Sequence, residues 1–240
     1  MKDKFKNIFI TIGKNILNIF WILHRPLVKK NKRLKNIHQG ETCFIFANGG
    51  SLKNFDISKL PNNPSIVCSY SLVDKRMHAL NIKYFVNTDS YTLYSYLYNT
   101  HPDQKKFQFN KIRLIFAEIF NQSKDIITFV NITNFYAKIC RRKNINYYHY
   151  FNDKDGYNDD LAGSFSNCRG ALDTMLGVAK YLGFSKAVLF GCDYLGTPAK
   201  EGHFYSDEKK FTSPSDEHLI EYRNRIKNFS SKGIELKLIF

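Results

Sequence analysis

Four polar groups in this chain come directly after apolar runs: Asn48-Gly49-Gly50-Ser51, Ser69, Asn87-Thr88-Asp89 and Asp193. If those runs are parallel strands, the four groups gather at one sheet edge, where open α/β sheets bind their ligands. The paired glycines bear on the kind of ligand. Without a Cβ they let backbone N–H groups approach an anion, and a helix following the turn would add its partly positive end. The turn is neither G-x-G-x-x-G nor a Walker loop, so it indicates an anion without specifying a nucleotide. Asp193 either binds a ribose or acceptor hydroxyl or caps the neighbouring backbone. His24, His38, His78, His101, His149 and His218 lack the Ser/Asp or metal-ligand spacing that would recommend them.

Other chemistries find little support. The five cysteines (Cys43, Cys68, Cys140, Cys168, Cys192) lie far apart, with no zinc-ligand or C-x-x-C spacing. They read as free thiols in a reducing compartment, not as a zinc finger or disulfide scaffold. No clear D-x-D is present, and Asp153, Asp155, Asp159 and Asp160 read as solvated loop carboxylates. Tyr147-Tyr148-His149-Tyr150 reads as packing, and Arg141-Arg142-Lys143 as a solvated face. We therefore expect no metal.

The elements that must position these residues follow from apolar patterning. Thr42–Ala47, Ser65–Ser69, Tyr84–Val86, Ile126–Val130, Lys186–Phe190 and Ile234–Phe240 are predicted strands, and Asp173–Leu182 and Asp216–Asn228 predicted helices. Their alternation implies an α/β domain with a mostly parallel sheet. Residues 91–160, rich in Tyr, Phe and Asn, are the least readable stretch. A length of 240 residues with 43% hydrophobic and 15% aromatic side chains suits a globular chain with one sizeable core.

The net charge of +15 is unevenly placed: residues 1–36 carry ten Lys/Arg against Asp3 alone. Phe5, Ile8, Ile12, Ile16, Ile19, Leu23 and Leu27 recur there at helical spacing, while Lys6, Lys14, Asn15 and Asn18 keep the run too short to span a bilayer. This amphipathic segment either packs on its own domain or lies at an anionic membrane surface through the basic tail 29–35, which the charge favours. We expect a segment 1–36 followed by a domain 37–240, cytoplasmic and peripheral at the inner face of the membrane. Nucleic-acid binding is disfavoured, because the charge is terminal and not interleaved with aromatics.

Three stretches resemble known families. Residues 39–62 (QGETCFIFANGGSLKNFDISKLPN) are similar to the strand and G-N-G-P-S-L turn of the bacterial sialyltransferases of glycosyltransferase family 42. They are similar also to the related motility accessory factor and hydroxymethylpterin diphosphokinase family. Ala47 stands for the first Gly and Gly50 for the Pro. Residues 181–194 (YLGFSKAVLFGCDY) resemble the L-G, strand, G-x-D unit of both, and Gly202-His203-Phe204-Tyr205 the His-aromatic segment beyond it.

The resemblance implies a Rossmann-like, GT-A-variant domain with a lid at about 195–215, using a CMP-activated nonulosonic or Kdo-like sugar. Asn48 inherits the nucleotide-phosphate contact, and Gly49, Gly50 and Ser51 are donor-site candidates as the rest of its turn. Ser69 stands where the family usually has Asn. Cys168-Arg169-Gly170 falls near the donor-binding helix start, and Tyr194 and Tyr205 substitute for tyrosines that hold the leaving phosphate. His203 inherits the role of catalytic base. Imidazole, with an ordinary pKa near ~6.5, suits removal of an acceptor proton at neutral pH. Phenol, amide or Arg donors can stabilise the departing CMP without a metal. The expected partners are a nucleotide-sugar donor and a surface-glycan acceptor, with no other cofactor; homo-oligomerisation is left open. A diphosphokinase-like enzyme, which would need Mg²⁺-ATP and a carboxylate cluster, is the alternative.

Overall fold

The computed structural model describes residues 19–88, 114–121, 124–137, 143–149, 158–165, 170–195, 202–204, 215–231 and 233–239. Seven strands form one sheet: β1 (Thr42–Phe46), β2 (Ser65–Cys68), β3 (Ile82–Asn87), β4 (Ile127–Asn131), β5 (Ile145–Tyr148), β6 (Lys186–Phe190) and β7 (Glu235–Ile239). Their order is β5-β4-β3-β2-β1-β6-β7, and every pairing is parallel. The α/β, Rossmann-like expectation holds. The chain adds strands in one direction from β1 to β5, then returns to lay β6 on the other side of β1. That reversal makes the β1/β6 border the topological switch point.

The central strands are apolar on both faces because both are covered. Cys43, Ile45, Ile66, Cys68 and Val86 face one core, with Met175, Leu176 and Val178 of the helix Ala171–Leu182 and with Ile226 and Phe229 of the helix Asp216–Ser231. Phe44, Phe46, Val67 and Phe85 face a second core containing Leu52, Ile57, Met77, Phe116 and Phe120. In chain order we number the α-helices α1 (residues 19–29), α2 (114–121), α3 (Ala171–Leu182) and α4 (Asp216–Ser231). Among the described residues, much of the second face is covered by short 3-10 turns. At the β7 edge, Glu235 and Lys237 are exposed while Leu236 and Leu238 pack inward. Charged residues on an edge strand discourage pairing with another chain.

Strand β5 falls within residues 91–160, where Ile126–Val130 was the one strand expected. Its sequence INYY carries asparagine and two tyrosines, yet all four residues are buried. Tyr148 is wholly enclosed and its hydroxyl donates to the Asn87 carbonyl at 2.8 Å.

The expected boundary at residue 36 does not separate two packing units within the described residues. Val28 and Asn31 are fully buried and Leu34 nearly so. Asn31 Nδ2 donates to the carbonyls of Tyr147 at 2.8 Å and Leu161 at 2.7 Å. Trp21 stacks on His149 with ring centroids 3.7 Å apart. The inward face of α1 thus belongs to the domain. No helix among the described residues is long and apolar enough to cross a membrane.

Candidate functional site

Strands β1 and β6 pair as far as Phe46 and Phe190, and the bonding continues beyond them. Ala47 N–H donates to the Phe190 carbonyl at 2.9 Å, and Gly49 N–H to the Gly191 carbonyl at 2.8 Å. Two turns after different strands are therefore joined backbone to backbone. A Cβ on Gly49 would lie 2.5 Å from both the Gly191 oxygen and the Asp193 carboxyl carbon. Gly191 has φ 64° and a Cβ there would meet Leu52 at 2.7 Å. Only glycine fits at either place.

Asp193 is buried at 2% exposure. One of its oxygens accepts from Ser51 N–H at 2.8 Å, and the other from the Ser51 hydroxyl. Of the two roles open to it, backbone capping is the one the geometry displays. Gly50–Asn54 is a five-residue 3-10 turn, so the α-helix expected after the glycines is replaced by a tighter element. The N-terminus of α3, which follows Gly170, lies at this edge, as does that of α4, which precedes β7. The Gly170 carbonyl accepts from Thr174 N–H at 3.2 Å and Thr174 Oγ1 at 3.0 Å.

Asn48 sits between these turns. Its Oδ1 accepts from Ser71 Oγ at 3.2 Å, and its Nδ2 points to Cys68 Sγ at 3.7 Å. The one Ser71 hydroxyl proton is shared between Asn48 Oδ1 and the nearer Cys68 carbonyl, 2.7 Å from Oγ. The Asn48 carbonyl accepts from Phe204 N–H at 3.1 Å and from His203 Nδ1 at 3.2 Å. His203 and Gly49 form an antiparallel bridge, and Phe204 is buried in the second core. Residues 202–204, the described part of the segment where a lid was expected beyond residue 195, are therefore bonded to the β1 turn. Because a carbonyl oxygen only accepts, Nδ1 carries the proton in the neutral ring and the lone pair lies on Nε2. That tautomer makes Nε2 the ring atom able to accept a proton.

Ser69, after β2, has φ 51°. This left-handed conformation is disfavoured for most side chains and best tolerated by Gly, Asn and Asp. Backbone held this way concentrates at functional sites. Asn87, at the end of β3, is 2% exposed, and its Oδ1 has no partner among the described residues. Tyr194 is half-buried beside Asp193. Asp89, Arg169, Tyr205 and most of segment 195–215 lie outside the described residues. Asp159 is not simply solvated, since it pairs with Lys180 at 2.5 Å. Asp160 accepts from Ala162 N–H at 3.0 Å.

Two residues here carried no signal in the sequence. Ser71 orients the Asn48 amide from 23 positions away. Arg76 donates to the carbonyls of Leu52 at 3.1 Å and Lys53 at 2.8 Å, and its guanidinium lies 5.9 Å from the centre of the Phe204 ring. It thereby ties the first turn to the 202–204 segment. Asp74 beside it raises the Arg76 pKa, while Arg76 lowers that of Asp74. Cys192, buried under the turn, has its thiol pushed well above the ordinary range by burial. It is no thiolate nucleophile. The pattern offers a backbone-lined turn, an amide and an imidazole bonded to the same turn: a set suited to binding a polar, anionic ligand and removing a proton beside it.

No family model matches the chain, and no curated protein matches it. Among solved structures it is similar to the sialyltransferase CstII from Campylobacter jejuni in complex with a substrate analogue, cytidine-5'-monophosphate. Identity is 14%, the match covers 83% of this chain and 80% of that chain, and the TM-score is 0.34. So shallow a likeness does not bear on activity, and the fold assignment rests on the sheet itself.

Proposed function

We propose that this chain is a glycosyltransferase that moves a nonulosonic or Kdo-like sugar from a CMP donor to a hydroxyl of a surface glycan. The observation that carries the reading is the His203 Nδ1 bond to the Asn48 carbonyl at the switch point. It couples the candidate base to the candidate donor turn, as the resemblance around residues 48, 193 and 203 would require. Nε2 takes the acceptor proton as the acceptor oxygen bonds to the anomeric carbon. The bond from that carbon to the phosphate oxygen breaks, and CMP leaves with the electron pair. Attack from the face opposite the leaving group inverts the anomeric centre.

In this reading Asn48 Nδ2 and the Gly50 backbone N–H meet the phosphate, the Gly49 N–H being held by the Gly191 carbonyl, and the Tyr194 hydroxyl shares its developing charge without a metal. The α3 end at Gly170 lies at the same edge. Asp193 and Ser51 hold the turn through their mutual bonds.

The test is a pair of variants in the full chain. Asn48→Ala should weaken CMP binding by about 1.5–3 kcal/mol, read by titration calorimetry. His203→Ala should leave CMP affinity nearly unchanged and lower turnover roughly 10²–10⁴-fold. Selective thermal stabilisation by CMP over CDP, UDP, GDP and ATP, with or without Mg²⁺, accompanies this outcome. Stabilisation by ATP with Mg²⁺ alone would transfer the site to phosphoryl chemistry.

A further inference from the structure

Helix α1 turns one stripe into the protein and leaves another bare. Trp21, His24 and Val28 form the inner stripe: Trp21 on His149, His24 between Phe20, Phe135 and Tyr136, and Val28 fully enclosed. The outer stripe begins with Ile19, Ile22 and Leu23, which are 58%, 67% and 69% exposed. Three large aliphatic side chains this exposed on adjacent helical positions are unusual for a surface that meets only water.

The chain that continues this stripe is basic. Arg25, Lys29, Lys30, Lys32, Arg33 and Lys35 are all exposed, and residues 19–40 contain no Asp or Glu. The 3-10 turn Lys30–Leu34 sorts the run strictly, burying Asn31 and Leu34 and leaving the cations outside. Arg33 donates to Asn146 Oδ1 at 3.3 Å.

The position in the fold adds a direction. Phe135 and Tyr136 follow the carboxyl end of β4, and His149 follows that of β5. The apolar turn of α1 packed against them therefore lies at the same sheet edge as the Asn48 and Asp193 turns. Strand β5 is four strands from β1, or roughly 20 Å at the usual spacing.

We propose that this face docks the protein on an anionic lipid bilayer, with Ile22 and Leu23 entering the headgroup boundary and the cations lying among the headgroups. The β5 flank of the sheet then faces the membrane. A bilayer supplies apolar depth and diffuse negative charge together, which matches a short aliphatic patch backed by charge of one sign. A nucleic acid would satisfy the cations and leave the aliphatic side chains in water. The inference is independent of the transferase reading, since it uses none of the residues of the β1/β6 turns.

The experiment is flotation of the full chain with two kinds of vesicle: phosphatidylcholine alone, and phosphatidylcholine with about one-third phosphatidylglycerol, each at low and high salt. Ile22→Asp/Leu23→Asp and Lys29→Glu/Lys30→Glu change exposed side chains, and unchanged circular dichroism verifies their folding. Binding to the anionic vesicles should exceed binding to the neutral ones, weaken with salt, and fall about tenfold or more in each double variant. Failure of the parent to float, salt-insensitive binding, or parent-like binding by both variants would overturn the proposal. So would a dimeric parent that Ile22→Asp/Leu23→Asp converts to monomer, which would assign the face to a second copy. The parent's dependence on salt and on phosphatidylglycerol decides the matter even if a variant misfolds.

Discussion

The β1/β6 turns and the α1 flank are held to the same sheet by different forces. At the turns, contact is polar and made largely by backbone: Gly49 to Gly191, Ser51 to Asp193, and Phe204 to Asn48. At the flank it is made largely by rings, with Trp21 on His149 and His24 against Phe135. Directional bonds fix atoms to within tenths of an ångström, as a site that binds and reacts requires. Ring stacking and apolar burial hold an element in place while tolerating small shifts. The contrast teaches where this protein can accept change. A turn bonded to three other segments admits almost no substitution, whereas a helix held by one stripe can vary on the other.

The largest test of that contrast is Gly49→Ala. The new methyl would meet the Gly191 backbone oxygen and Asp193 at 2.5 Å, and backbone cannot rotate aside as a flexible side chain would. We expect a loss of about 3 kcal/mol, a fall in melting temperature of roughly 6–12 °C for a chain of this size. An unchanged melting temperature would show the turns to be as forgiving as the flank.

Acid should act on the flank next. Burial pushes the His149 pKa down to about 4, below the ordinary ~6.5, so the fold favours the neutral ring. The stability this contributes is complete above pH ~6.5 and is lost progressively as pH falls toward 4. The loss should reach on the order of 2 kcal/mol, because a cation stacked on Trp21 recovers part of the cost. Trp21 is the only tryptophan, so its fluorescence reports the flank directly. His149→Phe should flatten the pH dependence; a parent whose stability is the same at pH 7 and pH 4.5 would contradict the assignment.

The smallest expected effect is that of Ser71→Ala. It removes the hydroxyl that orients Asn48 and should cost about 1 kcal/mol in denaturant unfolding. If CMP binds at the turn, affinity for it should weaken in parallel, by about fivefold or less. A loss of affinity far beyond that would make Ser71 a direct ligand contact.

Much of the sheet was legible because buried parallel strands are short apolar runs with turn residues after them. TCFIF, SIVC and KAVLF announce themselves in this way. INYY does not: its tyrosines are buried by neighbours distant in the chain, and nothing local marks it. Of the candidate site, Asn48, Gly49, Ser51 and Asp193 were legible as residues following strands. Their mutual bonding was not, since Ser51 and Asp193 are 142 positions apart. The same distinction holds for α1, whose amphipathic spacing was readable while the choice of inner stripe was not.

The sequence by itself determined the alternation of strands and turns, the clustering of positive charge before residue 36, and the glycines where backbones must touch. These are local properties, set by side-chain size, backbone freedom and the period of apolar residues. Tertiary structure alone decided that Asp193 caps Ser51, that His203 donates Nδ1–H to Asn48, and that α1 keeps Ile22 and Leu23 outside. Each depends on which distant segments become neighbours when the chain reverses at β1/β6, and a hydrogen bond or a buried face exists only once both partners are in place.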